Sequence, residues 1–382
     1  MKTVRFGIAG LGIMGQKHAR MLLTEVEDAE LNAVVSSNPA HLSALMAMPG
    51  GRSVRSFSNY EKMLASEEID AVLIATPHRL HVEQAIQALK AGKHVLLEKP
   101  AGVTAAEVRR LNQEAAKSDR AFGIMLNQRA NPVFRRMKEL VASGEMGRIR
   151  RVTLQITDWL RTEAYFKSSS WRATWQREGG GVLLNQAVHN LDLLQWICGM
   201  PQSLRAFVGY GRWHDIEVED DVTAVMTYPN GVTATLITST GEYPGSNRFE
   251  ISMDGGRILM ENGRLMVTRL EESVPDFIRN SPSMFEGPRS VTLDETPSEP
   301  DPAHVGILED FCKHVLYGTL LLAPGEEGIH SVTLANAMYY SDWTKEEVQF
   351  PMPEDRYVEL LRARCEEAEK AAGRPPEKQE SY

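Results

Sequence analysis

The sequence is poor in cysteine. Only three cysteines occur among its 382 residues, Cys198, Cys312 and Cys365, and they form neither a CxxC pair nor a zinc-type spacing. This pattern fits a reducing compartment better than an oxidising one.

Long apolar runs are also missing. No run reaches the roughly 18 to 20 residues that a helix needs to cross a bilayer. Glycines interrupt the apolar stretch near the N-terminus, which we interpret as a strand and a turn rather than an export signal. We therefore expect a cytoplasmic protein that does not bind membranes.

The chain has no excess of basic residues. It contains 42 Lys and Arg against 51 Asp and Glu, which gives a formal net charge of -9. Such a chain has no general attraction for nucleic acid or anionic lipid, so we expect neither as a partner. Hydrophobic residues make up 42% and charged residues 24%, as in ordinary globular proteins. At roughly 150 residues per domain, the length predicts two or three domains.

A glycine-rich turn follows the first predicted strand. Val4 to Ala9 is a short apolar run, and Gly10-Leu11-Gly12-Ile13-Met14-Gly15 then leads into a helical stretch. In a GxGxxG motif the first glycine permits a tight turn, the second lets backbone approach a pyrophosphate, and the third lets helix and strand pack closely. The N–H groups at the start of the helix would then face the phosphates. The motif therefore predicts a dinucleotide site with these contacts: Gly10, Gly12, Ile13, Met14 and Gly15.

The end of the second predicted strand bears on which dinucleotide binds. An acidic residue there would hold the ribose 2'-hydroxyl of NAD. Leu31 to Val35 is instead followed by Ser36, Ser37 and Asn38. The missing carboxylate removes a repulsion against a 2'-phosphate, and the hydroxyls of Ser36 and Ser37 could bind one, but no Arg follows directly. The choice between NAD and NADP stays open, with a slight preference for NADP.

Two further apolar strands end in turns that carry polar residues or proline. Ala71 to Ala75 is followed by Thr76-Pro77-His78 and a helix around Val82 to Ala91, and His94 to Leu97 runs into Glu98-Lys99-Pro100. Parallel strands joined by helices, with ligand contacts at their carboxyl ends, are typical of a doubly wound α/β fold. The predicted dinucleotide site therefore also includes residues from these turns: Thr76, Pro77, His81, Glu98, Lys99 and Pro100.

The hydrophobic pattern changes in the second half of the chain. Residues 152–157, 221–228 and 232–239 alternate apolar with polar side chains, and Pro229-Asn230-Gly231 joins the last two runs. Period-two alternation with short turns predicts an antiparallel sheet with one wetter face. The predicted fold class is an α/β Rossmann doubly wound domain, followed by an α+β domain with a large, mostly antiparallel open-faced sheet.

Two features of this second part indicate a substrate site. The stretch from Thr157 to Glu178 is dense in aromatic and arginine side chains, and it leads through three glycines into a helix predicted over residues 182–198. Asn185, His189 and Asp192 would share one face of that helix. The candidate substrate contacts are Arg129, Trp159, Arg172 and Trp175.

Four acidic residues lie close together near position 220. Glu217, Glu219, Asp220 and Asp221 could suggest a metal site, but we interpret them as a solvated entry into a strand. His78 and His81 have no carboxylate or third histidine at ligand spacing. We therefore expect no bound metal.

Together these motifs resemble one oxidoreductase family. The glycine fingerprint, Ala75-Thr76-Pro77, Ala91-Gly92-Lys93-His94-Val95, Glu98-Lys99-Pro100 and the three glycines before His189 are similar to those of the glucose-fructose oxidoreductase, inositol dehydrogenase and rhizopine catabolism (Gfo/Idh/MocA) family. The resemblance covers nearly the whole chain. It implies NAD(P)-dependent oxidation or reduction of a secondary hydroxyl or ketone of a sugar, sugar derivative or cyclitol. It also implies that Lys99 contacts the reacting oxygen and the nicotinamide, that His189 is the acid/base, and that the Lys99–Pro100 bond is cis.

The residue types suit this chemistry. Removing hydride from a carbon that bears a hydroxyl requires loss of the hydroxyl proton, which an imidazole can accept near neutral pH. A cation beside the oxygen stabilises the charge that develops there. Many relatives have Asp-x-x-x-His where this sequence has Asn185 and His189, and asparagine can hydrogen-bond a hydroxyl but cannot ionise. We assign Lys99 and His189 as catalytic and Asn185 as their substrate-orienting partner.

The predicted domains are residues 1–125, which bind NAD(P), and residues 126–364, which bind substrate and form the oligomer contact. Residues 365–382 are predicted to be a mobile charged tail. A wide open sheet face favours a homodimer or homotetramer. Two alternative functions remain: an NAD-dependent glycoside hydrolase-like protein without net redox, and a non-catalytic dinucleotide-fold sensor, which only the Asn185 replacement supports.

Overall fold

A computed structural model describes residues 2–371 of the chain. It divides them into two compact units. The first combines the residues up to Asn131 with Asp301–Val332, and the second combines Pro132–Pro300 with the chain from Thr333. Within residues 2–371, no helix has both the length and the apolar character that a membrane span requires.

The residues up to Asn131 alternate strands and helices. The strands are β1 (Val4–Ala9), β2 (Ala29–Val35), β3 (Arg55–Phe57), β4 (Ala71–Ile74), β5 (His94–Leu97) and β6 (Phe122–Ile124). The helices are α1 (Ile13–Thr24), α2 (Pro39–Met46), α3 (Tyr60–Leu64), α4 (His81–Lys90) and α5 (Ala105–Ala115).

These strands form a parallel sheet in the order β3-β2-β1-β4-β5-β6. All four residues of β4 are buried, as expected of a strand covered by helices on both faces. The predicted doubly wound fold is therefore confirmed. The strand order reverses between β1 and β4, which is where ligands bind in such sheets, beyond the carboxyl ends of the strands.

The next segment of the chain is mostly strand. Its helices are α6 (Pro132–Ala142), α7 (Glu163–Lys167), α8 (Val188–Cys198) and α9 (Val274–Asn280). Its strands are β7 (Ile149–Ile156), β8 (Ser203–Tyr210), β9 (Glu219–Thr227), β10 (Thr233–Ser239), β11 (Asn247–Met253), β12 (Gly256–Glu261), β13 (Arg264–Leu270) and β14 (Ser290–Asp294). The chain continues through α10 (Ala303–Tyr317), α11 (Gly328–Thr344), β15 (Val348–Gln349) and α12 (Glu354–Ala371).

The strands of the second unit form one nine-stranded sheet in the order β14-β13-β12-β11-β7-β10-β9-β8-β15. The β7–β10 pair is parallel and the other pairs are antiparallel. Along β10, Ala234 and Leu236 are buried while Thr235 and Ile237 are partly exposed. The alternation in the sequence therefore corresponds to one covered and one open face, as predicted.

Residues 301–332 pack with the first unit, although the sequence assigned them to the second domain. The ring of Phe311 on α10 lies 6.0 Å from that of Phe6 on β1. The N–H of Ile124 on β6 donates to the carbonyl of Ala323 at 3.0 Å. These contacts are long-range in sequence, which is why no local pattern indicated them.

The predicted tail also differs from the structure. Residues 365–371 belong to α12, and Cys365 is buried, so this part of the tail is ordered helix. The remainder of the predicted tail lies outside the described residues. The stretch between residue 270 and Pro302 is rich in proline and serine, and it contains α9 and β14.

The helix predicted over residues 182–198 begins only at Val188. Before it, the N–H groups of Gln186 and Ala187 both donate to the carbonyl of Val182, at 3.1 and 2.7 Å, which is not a regular helical pattern. Asn185 therefore lies in a turn ahead of α8, and the predicted polar stripe on one helix face is wrong.

Candidate active site

The three glycines of the first turn have different steric surroundings. Gly10 has φ +89°, and a Cβ there would lie 2.7 Å from the carbonyl oxygen of Ala75. A Cβ on Gly15 would lie 2.0 Å from the carbonyl oxygen of Gly10. At Gly12, by contrast, a Cβ would have no described atom within 4 Å. The turn and the packing therefore require Gly10 and Gly15, whereas the space beside Gly12 is open.

The opening beside Gly12 suits a dinucleotide phosphate. Gly12 is the N-cap of α1, so the N–H groups of the first helical turn face the same region. Ile13 is 73% exposed and Met14 is half-buried, which leaves both available to a bound molecule. At the end of β2, Ser37 is exposed and the hydroxyl of Ser36 accepts from the N–H of Asn38 at 3.3 Å.

His81 connects two turns at the carboxyl edge of the sheet. Its ring is 1% exposed, and its Nδ1 and Nε2 lie 2.8 Å from the carbonyl oxygens of Pro100 and Thr76. Burial lowers the pKa of His81, and these two carbonyls oppose that shift. The predicted contact between this side chain and a cofactor is therefore corrected, because the ring is buried and its two nitrogens face backbone carbonyls. His81 instead holds the Thr76-Pro77 turn beside Pro100.

Glu98 holds the backbone of the lysine that follows it. Its Oε2 accepts from the N–H of Lys99 at 3.0 Å, and its Oε1 lies 2.6 Å from Nε2 of His18 on α1. Burial would raise the pKa of Glu98, but the hydrogen bond and charge of His18, together with Lys99, lower it to about 2. The Lys99–Pro100 bond is cis, as the resemblance implied. Sequence reasoning missed His18, because 80 residues separate it from its partner.

Arg129 has a structural role that the sequence did not indicate. Its side chain is fully buried, pairs with Glu327, and donates from Nη1 to the carbonyl of Leu322 at 3.3 Å. These partners lie in the same unit and tie the segment after β6 to the loop after α10. Arg129 is therefore corrected from a substrate contact to a buried ion pair.

In the second unit, Glu219 anchors the turn that precedes α8. Its carboxylate accepts from the N–H groups of Gly181 and Leu183, both at 2.8 Å, and from the hydroxyl of Tyr339 at 2.7 Å. Its backbone carbonyl accepts from the N–H of Val182 at 3.1 Å. Burial raises the pKa of Glu219 to about 7, against these hydrogen bonds, which lower it. This anchor fixes the segment that carries Asn185 and leads to His189.

The same contacts explain the triple glycine. A Cβ on Gly181 would lie 2.1 Å from the backbone oxygen of Glu219, and one on Gly180 would lie 2.2 Å from the hydroxyl oxygen of Tyr339. Glu219 and Asp220 are 0% and 1% exposed. The prediction of a solvated strand entry is therefore wrong for both, and the acidic cluster could not be distinguished from a solvated one without its distant partners.

His189 and Asn185 have different environments. His189 is the second residue of α8 and is half-buried. Asn185 is also half-buried, and its side-chain Nδ2 donates to Oε1 of Glu178. Asp192 is 1% exposed, and its Oδ1 accepts from Nε2 of Gln195 at 3.0 Å. The structure thus brings a carboxylate to Asn185 that the sequence did not point to.

Of the aromatic stretch, Trp175 belongs to the core. It is 4% exposed, its Nε1 donates to the carbonyl of Glu217 at 2.9 Å, and its ring packs edge-on against Tyr339 and Trp343 at 5.3 and 5.6 Å. Its predicted role in a substrate pocket is therefore corrected. The signal was ambiguous because a tryptophan suits a core and a sugar platform equally.

Arg172 and Trp159 remain partly exposed. The guanidinium of Arg172 lies over the ring of Tyr165 at 4.5 Å, and its Nη1 donates to the Tyr165 hydroxyl at 2.8 Å. The same hydroxyl accepts from Nε2 of Gln186 at 3.0 Å. Trp159 is half-buried with Arg161 over its ring at 5.3 Å. Arg172 and Tyr165 therefore lie beside the segment that carries Asn185.

A doubly wound sheet with an open glycine turn at its carboxyl edge defines a dinucleotide-binding protein. Residues 4–125 match the family described as oxidoreductases with an NAD-binding Rossmann fold, and residues 134–259 match the GFO/IDH/MocA C-terminal domain. The chain therefore belongs to the Gfo/Idh/MocA oxidoreductase family.

Several of the relatives are named as dehydrogenases. Inositol 2-dehydrogenase of Rhizobium meliloti is 25% identical over 91% of this chain and 99% of its own length. The 1-carboxy-3-chloro-3,4-dihydroxycyclohexa-1,5-diene dehydrogenase of Comamonas testosteroni is 29% identical over 62% of this chain, and the match spans 58% of that relative's length. The WlbA dehydrogenase of Bordetella pertussis, solved with NADH and UDP-GlcNAcA, has a TM-score of 0.76 at 25% identity, over 92% of this chain and all of that one.

Proposed function

We propose that this oxidoreductase transfers hydride between NAD(P) and a secondary hydroxyl or ketone of a sugar, sugar derivative or cyclitol. The observation that carries the proposal is the Glu98-Lys99-Pro100 turn, in which Glu98 holds the Lys99 backbone at the same sheet edge as the open glycine turn. The names of relatives, inositol 2-dehydrogenase among them, support this substrate class.

Each assigned side chain has a chemical role. The nicotinamide, when bound, supplies the hydride acceptor or donor. Lys99 is a cation that stabilises negative charge on the reacting oxygen. His189 accepts the hydroxyl proton during oxidation and returns it during reduction. Asn185 hydrogen-bonds a hydroxyl of the substrate and orients it.

For the cofactor, we infer that NADP is the preferred of the two dinucleotides. Ser36 and Ser37 stand where a carboxylate would repel a 2'-phosphate, and their hydroxyl groups can bind it. The expected result is a higher kcat/KM with NADP than with NAD at the same substrate concentration. A preference for NAD would reverse this assignment and leave the proposed reaction intact.

The protein is proposed to act in the cytoplasm as a homodimer or homotetramer. Phe207 on β8 and Val225 on β9 are 61% and 44% exposed on the open face of the large sheet. Covering such a face with a second copy removes apolar surface from water. Sedimentation equilibrium tests this proposal, and a monomer at micromolar concentration contradicts it.

The deciding experiment is a panel of sugars, inositols and glycosides with NAD and NADP separately, followed by the absorbance of the reduced nicotinamide. Lys99→Ala and His189→Ala are each expected to lower kcat/KM by about 10²- to 10⁴-fold. Lys90→Ala and His314→Ala remove a lysine and a histidine outside the site and serve as controls. Activity of the two site variants within a few-fold of wild type would contradict the assigned roles.

Two other results would replace the proposed function. Product release without a net absorbance change would indicate the hydrolase-like alternative. Dinucleotide binding in calorimetry, without turnover of any compound, would indicate a sensor.

A further inference from the structure

A buried carboxylate contacts the side chain of Asn185. Glu178 is 2% exposed and lies directly before the triple glycine. One of its oxygens accepts from the N–H of Ala173, and the other accepts from Nδ2 of Asn185. Both carboxylate oxygens therefore have a donor within the same unit.

The backbone around Glu178 fixes where this carboxylate lies. The N–H groups of Glu178 and Gly179 both donate to the carbonyl of Thr174 at 3.0 Å, which closes a short loop. The bond from the Ala173 N–H to the Glu178 side chain closes the same loop a second time. Ala173 has φ 56°, a left-handed conformation that alanine seldom adopts, so the surrounding hydrogen bonds must maintain it. The hydrogen bond from the Ala173 N–H thus fixes one oxygen of the Glu178 carboxylate, and the other oxygen faces Asn185.

The contact determines which way the Asn185 amide points. An amide side chain has a donor end and an acceptor end that are nearly identical in shape, and the hydrogen-bond network decides between them. The NH₂ group of Asn185 donates to Oε1 of Glu178, so this end of the amide faces the carboxyl group. The opposite end of the amide, Oδ1, is an acceptor.

We propose that Glu178 is a positioning residue that fixes Asn185 as a hydrogen-bond acceptor for a substrate hydroxyl. The inference rests on the proposed function for the role of Asn185, and it adds a rule of specificity. Asn185 selects substrates that present a donor, such as a hydroxyl, and rejects those that present a carbonyl or an ether oxygen at that place. An acceptor facing another acceptor would leave both without a hydrogen bond, which is costly in a partly buried site.

The substitution Glu178→Gln would remove this control. The introduced glutamine has one acceptor oxygen, which the N–H of Ala173 takes, and its NH₂ group then faces Asn185. The Asn185 amide must turn to place its oxygen toward that NH₂ group, and the donor end replaces the acceptor end. Glu178→Gln changes neither the volume of the side chain nor the loop around it. It is therefore expected to replace the acceptor end of Asn185 by the donor end on the side that faces the substrate.

A second substitution restores the polarity. In Asn185→Asp alone, two carboxylates face each other, and their repulsion disfavours the native geometry. In the double variant Glu178→Gln/Asn185→Asp, the introduced amide donates to the introduced carboxylate while its oxygen still accepts from the N–H of Ala173. Each single substitution is expected to lower kcat/KM, and the second substitution is expected to compensate for the first. A double-mutant cycle measures this compensation.

The test uses the full-length protein with NAD or NADP and two probes, myo-inositol and methyl D-glucoside. For each probe that the wild type oxidises, Glu178→Gln and Asn185→Asp are each expected to lower kcat/KM by about tenfold to a hundredfold, through a rise in KM. The double variant is expected to return to within about threefold of wild type, because the compensating pair restores the acceptor.

Asp254→Asn is the matched control, since it alters another buried carboxylate of the same unit, one that binds Arg148 and Arg150. It is expected to leave KM for both probes unchanged. Wild-type kinetics in Glu178→Gln, or a double variant no better than the singles, would overturn the proposal.

A readout without substrate separates this inference from the proposed function. In ¹⁵N-labelled protein, the side-chain amide signal of Asn185 is identified by its loss in Asn185→Asp. Its proton bound to Glu178 is expected downfield, and Glu178→Gln is expected to move it upfield at an unchanged melting temperature. An unmoved signal contradicts the role of Glu178 even if both probes are oxidised. A shifted signal supports the role of Glu178 even if neither probe is oxidised, and the panel of sugars, inositols and glycosides then decides the proposed function separately.

Discussion

Glu98 in the first unit and Glu219 in the second are both almost fully buried, yet different groups bind them. Glu98 pairs with the imidazole of His18 and lies next to Lys99, both of which can carry positive charge. The groups that donate to Glu219 are neutral: two backbone N–H groups and the hydroxyl of Tyr339. Burial acts in the same direction on both, but the pKa is about 2 for Glu98 and about 7 for Glu219. A nearby cation, more than the number of hydrogen bonds, decides whether a buried carboxyl group stays ionised.

Both carboxyl groups act on neighbouring residues of the candidate site. Glu98 holds the backbone of Lys99, and Glu219 holds the turn from Gly181 to Leu183. In the first unit, a buried pair of Glu98 and His18 holds the backbone of Lys99. In the second unit, neutral hydrogen bonds to Glu219 hold the turn that leads to His189. The substitutions below test whether this difference has the expected energetic consequences.

The largest effect is expected from Glu98→Ala. It leaves His18, which is 0% exposed, without its carboxylate, and breaking a buried pair in this way costs about 3–5 kcal/mol. The free energy of unfolding in urea measures the loss. Glu98→Gln keeps an acceptor toward His18 and should lose less. If Glu98→Ala costs under about 1 kcal/mol, His18 and Glu98 are not a stabilising pair.

Glu219→Ala is expected to cost less, about 2–4 kcal/mol, because the donors that lose their acceptor are neutral. Tyr339→Phe removes only one of these donors and should cost about 1 kcal/mol. The same urea experiment measures both variants. Equal losses in the two variants would show that Glu219 does not organise the glycine turn.

The pH dependence of stability should have opposite signs in the two cases. The pKa of Glu98 is lowered from 4.5 to about 2, so its contribution is present above pH 4.5 and is lost as the pH falls toward 2. The pKa of Glu219 is raised from 4.5 to about 7, so the folded state binds a proton more tightly, and stability falls as the pH rises between these values.

Unfolding measured at several pH values between 4.5 and 7 tests this assignment. Glu219→Gln should lose the decrease in stability that the wild type shows over this window. Glu98→Gln should show the same slope as the wild type there, at a lower stability, and a different slope only at lower pH. A wild-type slope that Glu219→Gln leaves unchanged would assign the titration to another group.

The smallest effect is expected from Asp70→Asn, which provides a reference for an accessible carboxylate. Asp70 pairs with Arg5 at 2.6 Å, and the two side chains are 36% and 40% exposed. Water competes for such a pair, so the expected loss is about 0.5 kcal/mol, and it should shrink further in high salt. If Asp70→Asn lowered the free energy of unfolding as much as Glu98→Ala, burial would not be the cause of the difference between these carboxylates.

The sequence predicted the features that depend on local pattern. The apolar run before Gly10 and the spacing to Gly12 and Gly15 define a strand, a turn and a helix within a few residues, so the dinucleotide turn could be recognised. The Glu98-Lys99-Pro100 turn was recognised for the same reason. Period-two alternation likewise predicted the open sheet of the second unit.

The features that were missed depend on partners far apart in the chain. His18 lies on the first helix, and Glu98 follows the fifth strand. Arg129 was misassigned because its partner Glu327 lies 198 residues further along the chain. Glu219 was misinterpreted because an acidic cluster looks the same in sequence whether water or backbone N–H groups surround it. The helix at Asn185 was predicted too long because tertiary hydrogen bonds to Glu219 override the local helical pattern.

Substitution of Gly12 can separate the requirements of folding from those of nucleotide binding. Its φ of -65° is accessible to alanine, and no described atom would obstruct a methyl group there. A Gly12→Ala chain should therefore reach the same cellular abundance as the parent while its nucleotide occupancy drops. If larger residues at this position impair the protein, the bound nucleotide, and not the packing of the protein interior, sets the limit on side-chain size.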